Sequence, residues 1–189
     1  MKQTINTLNW VQQFWRQAVR PGDHCIDATA GRGYDTLALA KLVGLTGSVT
    51  AFDIQAEALD STRARLAEEG VADRVRLILD SHAQMAQYCA QESITLIAFN
   101  LGYLPGGDHQ LATSPGETIQ AIQAGLGLLK NGGLLTLCVY QGGDTGFAER
   151  DAVLSYLQSL DHQKYTVLVT DFYNRPNYPP LAVLVYKAI

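Results

Sequence analysis

Short apolar runs alternate with longer amphipathic stretches along most of this chain. The short runs are rich in Ile, Leu, Val or Phe and are bounded by Gly, Asp or Asn, which is typical of buried strands. They cover residues 24–28, 48–53, 75–79, 95–100 and 134–140. The longer stretches repeat apolar residues every three or four positions and predict helices. They cover residues 36–43, 56–69, 83–90, 118–129 and 147–160. This order predicts a parallel sheet with helices on both faces.

The C-terminal part departs from this alternation because two strand-like runs follow each other directly. Residues 166–173 and 182–186 flank a proline-rich turn at 174–180, and they predict a hairpin whose last strand is antiparallel. With the five earlier runs they give a mostly parallel, seven-stranded α/β sheet of the Rossmann-like kind. The amphipathic segment 1–20 predicts a further helix near the sheet edge, and we expect residues 1–189 to form one domain.

Composition and charge narrow the class of protein. The chain has 189 residues, 47% of them hydrophobic and 17% charged, and no apolar run approaches the roughly 20 residues that cross a bilayer. Its three cysteines lie in or beside apolar runs and its N-terminus lacks a signal-peptide pattern, so we expect a cytoplasmic protein without a membrane partner. The four histidines are scattered, which predicts no metal site. A net charge of -4 argues against broad non-specific binding to nucleic acid.

The turn after the first predicted strand carries the most informative residues. It reads DATAGRGYDT over residues 27–36. Ligands of open α/β sheets bind where the strands end, and Gly31 and Gly33 permit a tight turn whose backbone amides approach a ligand closely. Asp53, at the end of the second strand, follows Gly33 by 20 residues. That spacing fits a carboxylate that accepts hydrogen bonds from ribose hydroxyls.

The charges around this turn distinguish between nucleotide ligands. A dinucleotide-binding turn has a third glycine where this chain has Thr36, and Asp27 and Asp35 would repel a pyrophosphate. A sulfonium with a cationic amino group would instead be attracted, and the third strand ends in a polar string that can face an adenine edge. We therefore predict an S-adenosylmethionine site formed by Asp27, Thr29, Ala30, Gly31, Arg32, Gly33, Asp35, Thr36, Asp53, Ile54, Gln55, Asp80, Ser81, His82 and Asn100. Taken singly, each carboxylate is better explained as a helix, turn or strand-end cap. Together, at the ends of successive strands, they favour the cofactor site.

Several strings of the sequence resemble the bacterial family known as putative rRNA methylases. They are the glycine turn at 27–36, AFDIQ at 51–55, LDSH at 79–82, FNLGYLPGGD at 99–108 and NRPNYPP at 174–180. The segment NLGYLP is the most distinctive of them. The resemblance implies the class I methyltransferase fold, in which an antiparallel last strand is a hallmark.

The same resemblance implies a substrate. Members of this family are tRNA methyltransferases that act on the amino group of 5-aminomethyl-uridine, often 2-thiolated, at the wobble position of the anticodon. It therefore implies N-methyl transfer from S-adenosylmethionine, with the tRNA anticodon region as partner. The chain departs from the family pattern at Arg32, at Asp108-His109 and at Gly142-Gly143.

Candidate residues for catalysis and substrate binding follow from these strings. The catalytic candidates are Asn100, whose amide oxygen can accept a hydrogen bond from the target amine, Tyr103 and Asp108. The substrate-binding candidates lie in loops after the later strands and are Tyr103, Pro105, His109, Tyr140, Asn174 and Asn177. Arg32, Arg150 and Arg175 are candidates for contacts with phosphates, and the two asparagines are also turn-forming residues beside prolines.

Other functions remain open at this point. A methyltransferase of this fold can act on a small metabolite or on rRNA, and a paralogue can bind the cofactor without catalysis. A homodimer would supply the second RNA-binding surface that one small acidic domain lacks.

Overall fold

A computed structural model describes residues 5–101, 115–141 and 143–189 of the chain. Within these ranges seven strands form one sheet in the order β3-β2-β1-β4-β5-β7-β6. The strands are β1 (His24–Asp27), β2 (Ser48–Asp53), β3 (Val75–Leu79), β4 (Ile94–Leu101), β5 (Leu129–Val139), β6 (Tyr165–Thr170) and β7 (Leu181–Lys187). Strands β1 to β5 pair in parallel, and β7 is antiparallel to both β5 and β6. The predicted sheet and its antiparallel last strand are confirmed.

Helices cover both faces of the sheet, as the alternation predicts. They are α1 (Thr7–Ala18), α2 (Tyr34–Val43), α3 (Ala56–Glu68), α4 (Pro115–Leu128) and α5 (Gly143–Gln158), with short 3₁₀ helices at Ala72–Arg74 and His82–Gln87. One apolar cluster joins the sheet to α1, α2 and α3, and a second joins it to α4, α5 and the His82–Gln87 helix. None of the described helices is both long and apolar enough to cross a membrane.

The predicted α-helix at 83–90 is wrong, because this segment forms the 3₁₀ helix His82–Gln87. Its buried residues are His82 and Met85, and Tyr88 packs against the same cluster. These three residues are spaced by three, which matches the three residues per turn of a 3₁₀ helix. The Ser81 hydroxyl caps the start of this helix by accepting a hydrogen bond from the backbone N–H of Ala83 at 3.2 Å.

Two strand boundaries also differ from the prediction by more than one residue. β5 begins at Leu129 rather than 134, and its register against β4 shifts between Ile94 and Leu96. Gly132, in this irregular stretch, has φ +74°, so the backbone there departs from regular strand geometry. β6 ends at Thr170 rather than 173, where the chain leaves the sheet and enters the loop that precedes β7.

The predicted N-terminal helix forms as α1, but it packs across inner strands rather than near the sheet edge. It buries Val11 and Trp15, and it contacts β4, β5 and β7. Trp15 Nε1 donates a hydrogen bond to Thr136 Oγ1 at 3.0 Å, and Thr7 Oγ1 donates one to the Pro180 carbonyl oxygen at 2.7 Å. These two bonds fix α1 along the sheet and bring its polar side close to the start of α2.

Asp23 holds together the opposite edge of the sheet, where β1, β4 and β5 begin. Its Oδ1 accepts hydrogen bonds from Lys130 Nζ at 2.9 Å and Thr95 Oγ1 at 2.8 Å, and its Oδ2 accepts one from the Arg20 N–H at 2.7 Å. Although partial burial raises the pKa of Asp23, these three donors and the charge of Lys130 hold it below its ordinary value.

We expect Asp23→Asn to lower the free energy of unfolding by about 1 to 2 kcal/mol at neutral pH, because a charge-assisted bond to Lys130 is lost. A carboxyl whose pKa is lowered by folding stabilises the protein above the pKa of the unfolded chain and loses this effect as the pH falls through the folded pKa. The difference from wild type, measured by urea unfolding, should therefore shrink in acid. Asp60→Asn, at an exposed ion pair with Arg63, is the control and should change little. A pH-independent difference would contradict the charge-based account.

Candidate functional site

The polar residues singled out from the sequence lie together where β1, β2, β3 and β4 end. The turn after β1 holds two glycines in the left-handed region, Gly31 with φ +52° and Gly33 with φ +78°. A Cβ atom on Gly33 would lie 2.8 Å from Thr62 Oγ1 and 2.9 Å from Thr62 Cα. Only glycine therefore fits this position, and the turn lies directly against α3.

Asp53 links this turn to the end of β2. Its Oδ2 accepts a hydrogen bond from the Gly31 N–H and its Oδ1 one from the Gln55 N–H, both at 2.9 Å. The Gly31 carbonyl oxygen in turn accepts a hydrogen bond from Thr62 Oγ1 at 3.0 Å. Each carboxylate oxygen keeps a further lone pair for a ligand hydroxyl. Ile54 follows with its side chain half exposed, which leaves an apolar surface beside the carboxylate.

Asp27 lies buried at the end of β1, only 1% exposed. Its Oδ2 accepts a hydrogen bond from Thr36 Oγ1 at 2.6 Å, and its Oδ1 accepts one from the Thr29 N–H at 3.1 Å. Thr29 Oγ1 accepts a hydrogen bond from the Asn100 N–H at 2.8 Å. This chain of bonds joins the end of β1 to the end of β4.

Asp35, in the first turn of α2, is 6% exposed and is held by two side-chain amides. Gln12 Nε2 donates to its Oδ1 at 3.1 Å, and Asn100 Nδ2 donates to its Oδ2 at 3.3 Å. Both donors are neutral, so they satisfy the carboxylate oxygens without cancelling the charge.

Burial raises the pKa of both carboxylates. Burial, together with the nearby charge of Asp35, raises the pKa of Asp27 to about 7 against the hydrogen bonds from Thr36 and Thr29. Burial also raises the pKa of Asp35, although Gln12 and Asn100 oppose that shift. Within the described residues no Lys or Arg forms an ion pair with either carboxylate or with Asp53. The site is therefore suited to a cationic ligand.

The end of β3 contributes a second set of polar groups. The Asp80 N–H donates to the Asp53 carbonyl oxygen at 3.1 Å, and Asp80 Oδ2 accepts a hydrogen bond from the Tyr88 hydroxyl at 2.7 Å. His82 is buried with Nδ1 3.1 Å from the Ala28 carbonyl oxygen, so Nδ1 carries the hydrogen. Burial lowers the pKa of His82, and its Nε2 has no hydrogen-bond partner within the described residues.

The predicted substrate-binding residues are less fully placed. Tyr103, Pro105, Asp108 and His109 lie outside the described residues. Tyr140 follows β5 directly with its side chain half exposed, and Asn174 and Asn177 are exposed in the loop before β7. Asn177 has φ +66°, which fits its alternative interpretation as a turn-forming residue. The binding roles of these side chains remain predictions.

The loop before β7 is fixed to the start of α5. Gln141 Nε2 donates to the Pro179 carbonyl oxygen at 2.8 Å, and Gln141 Oε1 accepts a hydrogen bond from an Arg150 guanidinium N–H at 3.1 Å. Phe147 contacts Tyr178 edge to face, with ring centroids 5.8 Å apart. The loop is therefore held in place at the same sheet edge as Asn100.

Several residues of this site were missed from the sequence. Gln12 comes from α1, Thr62 and Arg65 from α3, and Tyr88 from the end of the 3₁₀ helix. Arg65 Nε donates to the Arg32 carbonyl oxygen at 2.8 Å, and its guanidinium lies 3.7 Å from the centre of the Tyr34 ring. No motif marks these positions, because each contact depends on how helices pack against the glycine turn.

Within the described residues no group of three or more His, Cys, Asp or Glu side chains is arranged to hold a metal ion.

The raised pKa of Asp27 predicts a stabilising substitution. An unfolded carboxyl ionises near pH 4, whereas that of Asp27 ionises at about 7, so the folded chain loses stability as the pH rises between these values. Asp27→Asn removes the ionisable group and so avoids this loss of stability. It also keeps both hydrogen bonds, since the amide can donate to the Thr36 hydroxyl and accept from the Thr29 N–H. At about pH 8 it should exceed wild type in free energy of unfolding, measured with urea, by on the order of a few kcal/mol. The difference in free energy of unfolding between Asp27→Asn and wild type should vanish at about pH 4. A difference that is the same at every pH would refute the raised pKa of Asp27.

Comparisons with known proteins identify the family. The family model described as "Putative rRNA methylase" matches residues 49–186. The chain is 36% identical over 183 residues to the chloroplastic tRNA (mnm(5)s(2)U34)-methyltransferase of Arabidopsis thaliana, covering 92% of this chain and 66% of that protein. It therefore spans slightly less than two thirds of the length of this relative.

Solved structures agree over nearly the whole chain. A putative rRNA-methylase from Clostridium thermocellum is 43% identical with a TM-score of 0.94, covering 98% of this chain and 99% of that one. SMU.1697c, a putative methyltransferase from Streptococcus mutans in complex with SAH, is 36% identical with a TM-score of 0.88 and the same coverage. The expected class I methyltransferase fold and the expected resemblance are both confirmed. The chain belongs to the family of putative rRNA methylases.

Proposed function

We propose that this chain is an S-adenosylmethionine-dependent methyltransferase that methylates the amino group of 5-aminomethyl-uridine at the wobble position of tRNA. The observation that carries the cofactor assignment is the buried pair Asp27 and Asp35, which no cationic side chain of the described residues neutralises. The SAH-bound relative supports it, and the tRNA substrate named for the plant relative supports the acceptor.

The residues present fit this cofactor in each of its parts. Asp53 has lone pairs for the ribose hydroxyls, and the exposed apolar surface of Ile54 suits an adenine face. Asp80, Ser81 and His82 would line the adenine edge. The start of α2 has Gly33 as its N-cap and no side-chain cap, so free backbone amides can bind the carboxylate of the amino-acid part. Asp27 and Asp35 would balance the positive charges.

The chain's role in the reaction is mainly one of positioning. When bound, S-adenosylmethionine supplies an electrophilic methyl group, which a neutral amine nitrogen takes by displacement to leave the neutral thioether. Asn100, half-buried at the end of β4, would hold the amine by accepting a hydrogen bond from it. Alignment of two reactants is worth roughly 7 to 11 kcal/mol in favourable cases, and a neutral amine needs no strong base. The amine gives up its extra proton to solvent after the transfer.

The surface beside Asn100 suits unpaired nucleotides. Tyr140, Tyr173 and Tyr178 are exposed after β5 and in the loop before β7, and the Arg175 guanidinium lies 5.0 Å from the centre of the Phe172 ring. Exposed aromatic rings stack on bases, each contributing about 1 to 3 kcal/mol, and arginine contacts phosphates. Asn174 and Asn177 would add hydrogen bonds to the bound loop of RNA. Since the whole chain carries a net charge of -4, binding would depend on this local surface.

The cofactor assignment predicts the effect of Asp53→Ala. Loss of the carboxylate removes the acceptors for the ribose and releases the amides of Gly31 and Gln55, so we expect affinity for S-adenosylmethionine to fall by about tenfold or more. Isothermal titration calorimetry measures this change. Asp60→Ala, at an exposed carboxylate on α3 that pairs with Arg63, is the matched control and should bind like wild type. Equal affinities for the two variants would exclude Asp53 as the ribose acceptor.

The acceptor assignment predicts the methylated product. Wild type should transfer label from S-adenosylmethionine to tRNA taken from a strain that lacks this modification, and nucleoside mass spectrometry should find methylaminomethyl-uridine. Asn100→Ala should bind the cofactor within about threefold of wild type and turn over at least about tenfold more slowly, since it loses one oriented hydrogen bond. Cofactor binding without label in tRNA would reject the acceptor, and label in rRNA or in a small amine would identify the alternative.

A further inference from the structure

We propose that Gln12 and Asp35 form an amide clamp that sets which way the carboxamide of Asn100 faces and so presents its oxygen to the accepting nitrogen. Gln12 and Asp35 would then be positioning residues, and α1 would be part of the active site. This inference rests on the proposed function, because it gives Asn100 an acceptor role.

The clamp follows from the hydrogen-bonding capacity of the groups. An ionised carboxylate only accepts hydrogen bonds, whereas a carboxamide has one donating end and one accepting end. Asp35 accepts from Gln12 Nε2 on Oδ1 at 3.1 Å and from Asn100 Nδ2 on Oδ2 at 3.3 Å. Reversing the Asn100 amide would place its oxygen against a carboxylate oxygen, which is repulsive. The amide oxygen of Asn100 therefore faces away from Asp35.

The backbone of Asn100 is fixed independently of its side chain. Its N–H donates to Thr29 Oγ1 at 2.8 Å, and the Thr29 N–H donates to Asp27 Oδ1 at 3.1 Å. On the opposite side, the register of β4 places Asn100 beside Cys138 of β5. These contacts leave the side-chain amide of Asn100 free to rotate, and its hydrogen bond to Asp35 prevents that rotation.

Gln12 is suited to hold Asp35 because it is a neutral donor. A lysine or arginine in its place would neutralise Asp35, whereas an amide binds one oxygen and leaves the negative charge available. Helix α1 holds Gln12 in place through the bonds from Trp15 to Thr136 and from Thr7 to Pro180. Gln12 and Asp35 are 23 positions apart in the chain, so α1 and α2 must be packed together for the contact to form.

The test is Gln12→Met, which keeps the length of the side chain and removes its N–H donors. With the tRNA acceptor we expect turnover to fall by about 3- to 10-fold, the value of one hydrogen bond, and the dissociation constant of S-adenosylmethionine at about pH 8 to stay within about twofold. In an Asn100→Ala background the same substitution should have no further effect on turnover. Gln13→Met, at the exposed neighbouring position of α1, is the matched control and should match wild type. An equal loss with and without Asn100 would overturn the clamp in favour of a purely structural role.

A second measurement decides the clamp without any turnover. The side-chain amide protons of Asn100, assigned in ¹⁵N spectra by comparison with Asn100→Ala, should exchange slowly with solvent in wild type and about tenfold faster in Gln12→Met. Unchanged exchange would overturn the clamp even if methyl transfer to tRNA is observed. Conversely, slow exchange in a wild-type protein that methylates no acceptor would reject the proposed function and leave the geometry of the clamp intact.

Discussion

Negative charge is buried where β1 ends and α2 begins, and it determines what the site can bind. Asp27 and Asp35 lie almost entirely out of solvent, and each hydrogen-bond donor that the described residues offer them is neutral: hydroxyl, backbone N–H or carboxamide. Such donors lower the cost of burying a carboxylate without removing its charge. Burial still raises the pKa of Asp27 to about 7, so these neutral donors offset only part of that cost. A cationic ligand would relieve it.

The topology of the sheet explains why these groups meet. In the order β2-β1-β4 the first strand is central, so residues after its end can bond to both neighbours. Asp53 reaches the glycine turn from β2, and Asn100 reaches Thr29 and Asp35 from β4. Helix α1, which precedes the alternating strands and helices, also contributes to the site. Trp15 fixes this helix to the sheet, and Gln12 contacts Asp35. Asp23 fixes the opposite ends of these strands, where β1, β4 and β5 begin. One end of the strands therefore stabilises the sheet and the other forms the site.

The sheet and the carboxylates could be predicted because both depend on short-range features. Apolar runs define strands wherever they lie, and parallel strands bring their carboxyl ends to one edge, so Asp27, Asp53 and Asp80 had to come close together. Gln12, Tyr88 and Thr62 could not be predicted in the same way. Each contact depends on the angle and depth at which a helix packs, and the polar face of α1 gives no sign of which residue meets α2. The 3₁₀ helix was missed because spacing by three over a short segment also fits an α-helix.

If a cationic cofactor neutralises the buried carboxylate pair, binding of that cofactor should release protons. Titration calorimetry at about pH 7 in buffers of different ionisation enthalpy counts the protons released when S-adenosylmethionine binds. Because a bound cation lowers the pKa of Asp27, wild type should release a fraction of a proton and Asp27→Asn should release markedly less. Binding by wild type with no proton release, or equal release by both proteins, would mean that the cofactor's positive charge does not act on Asp27.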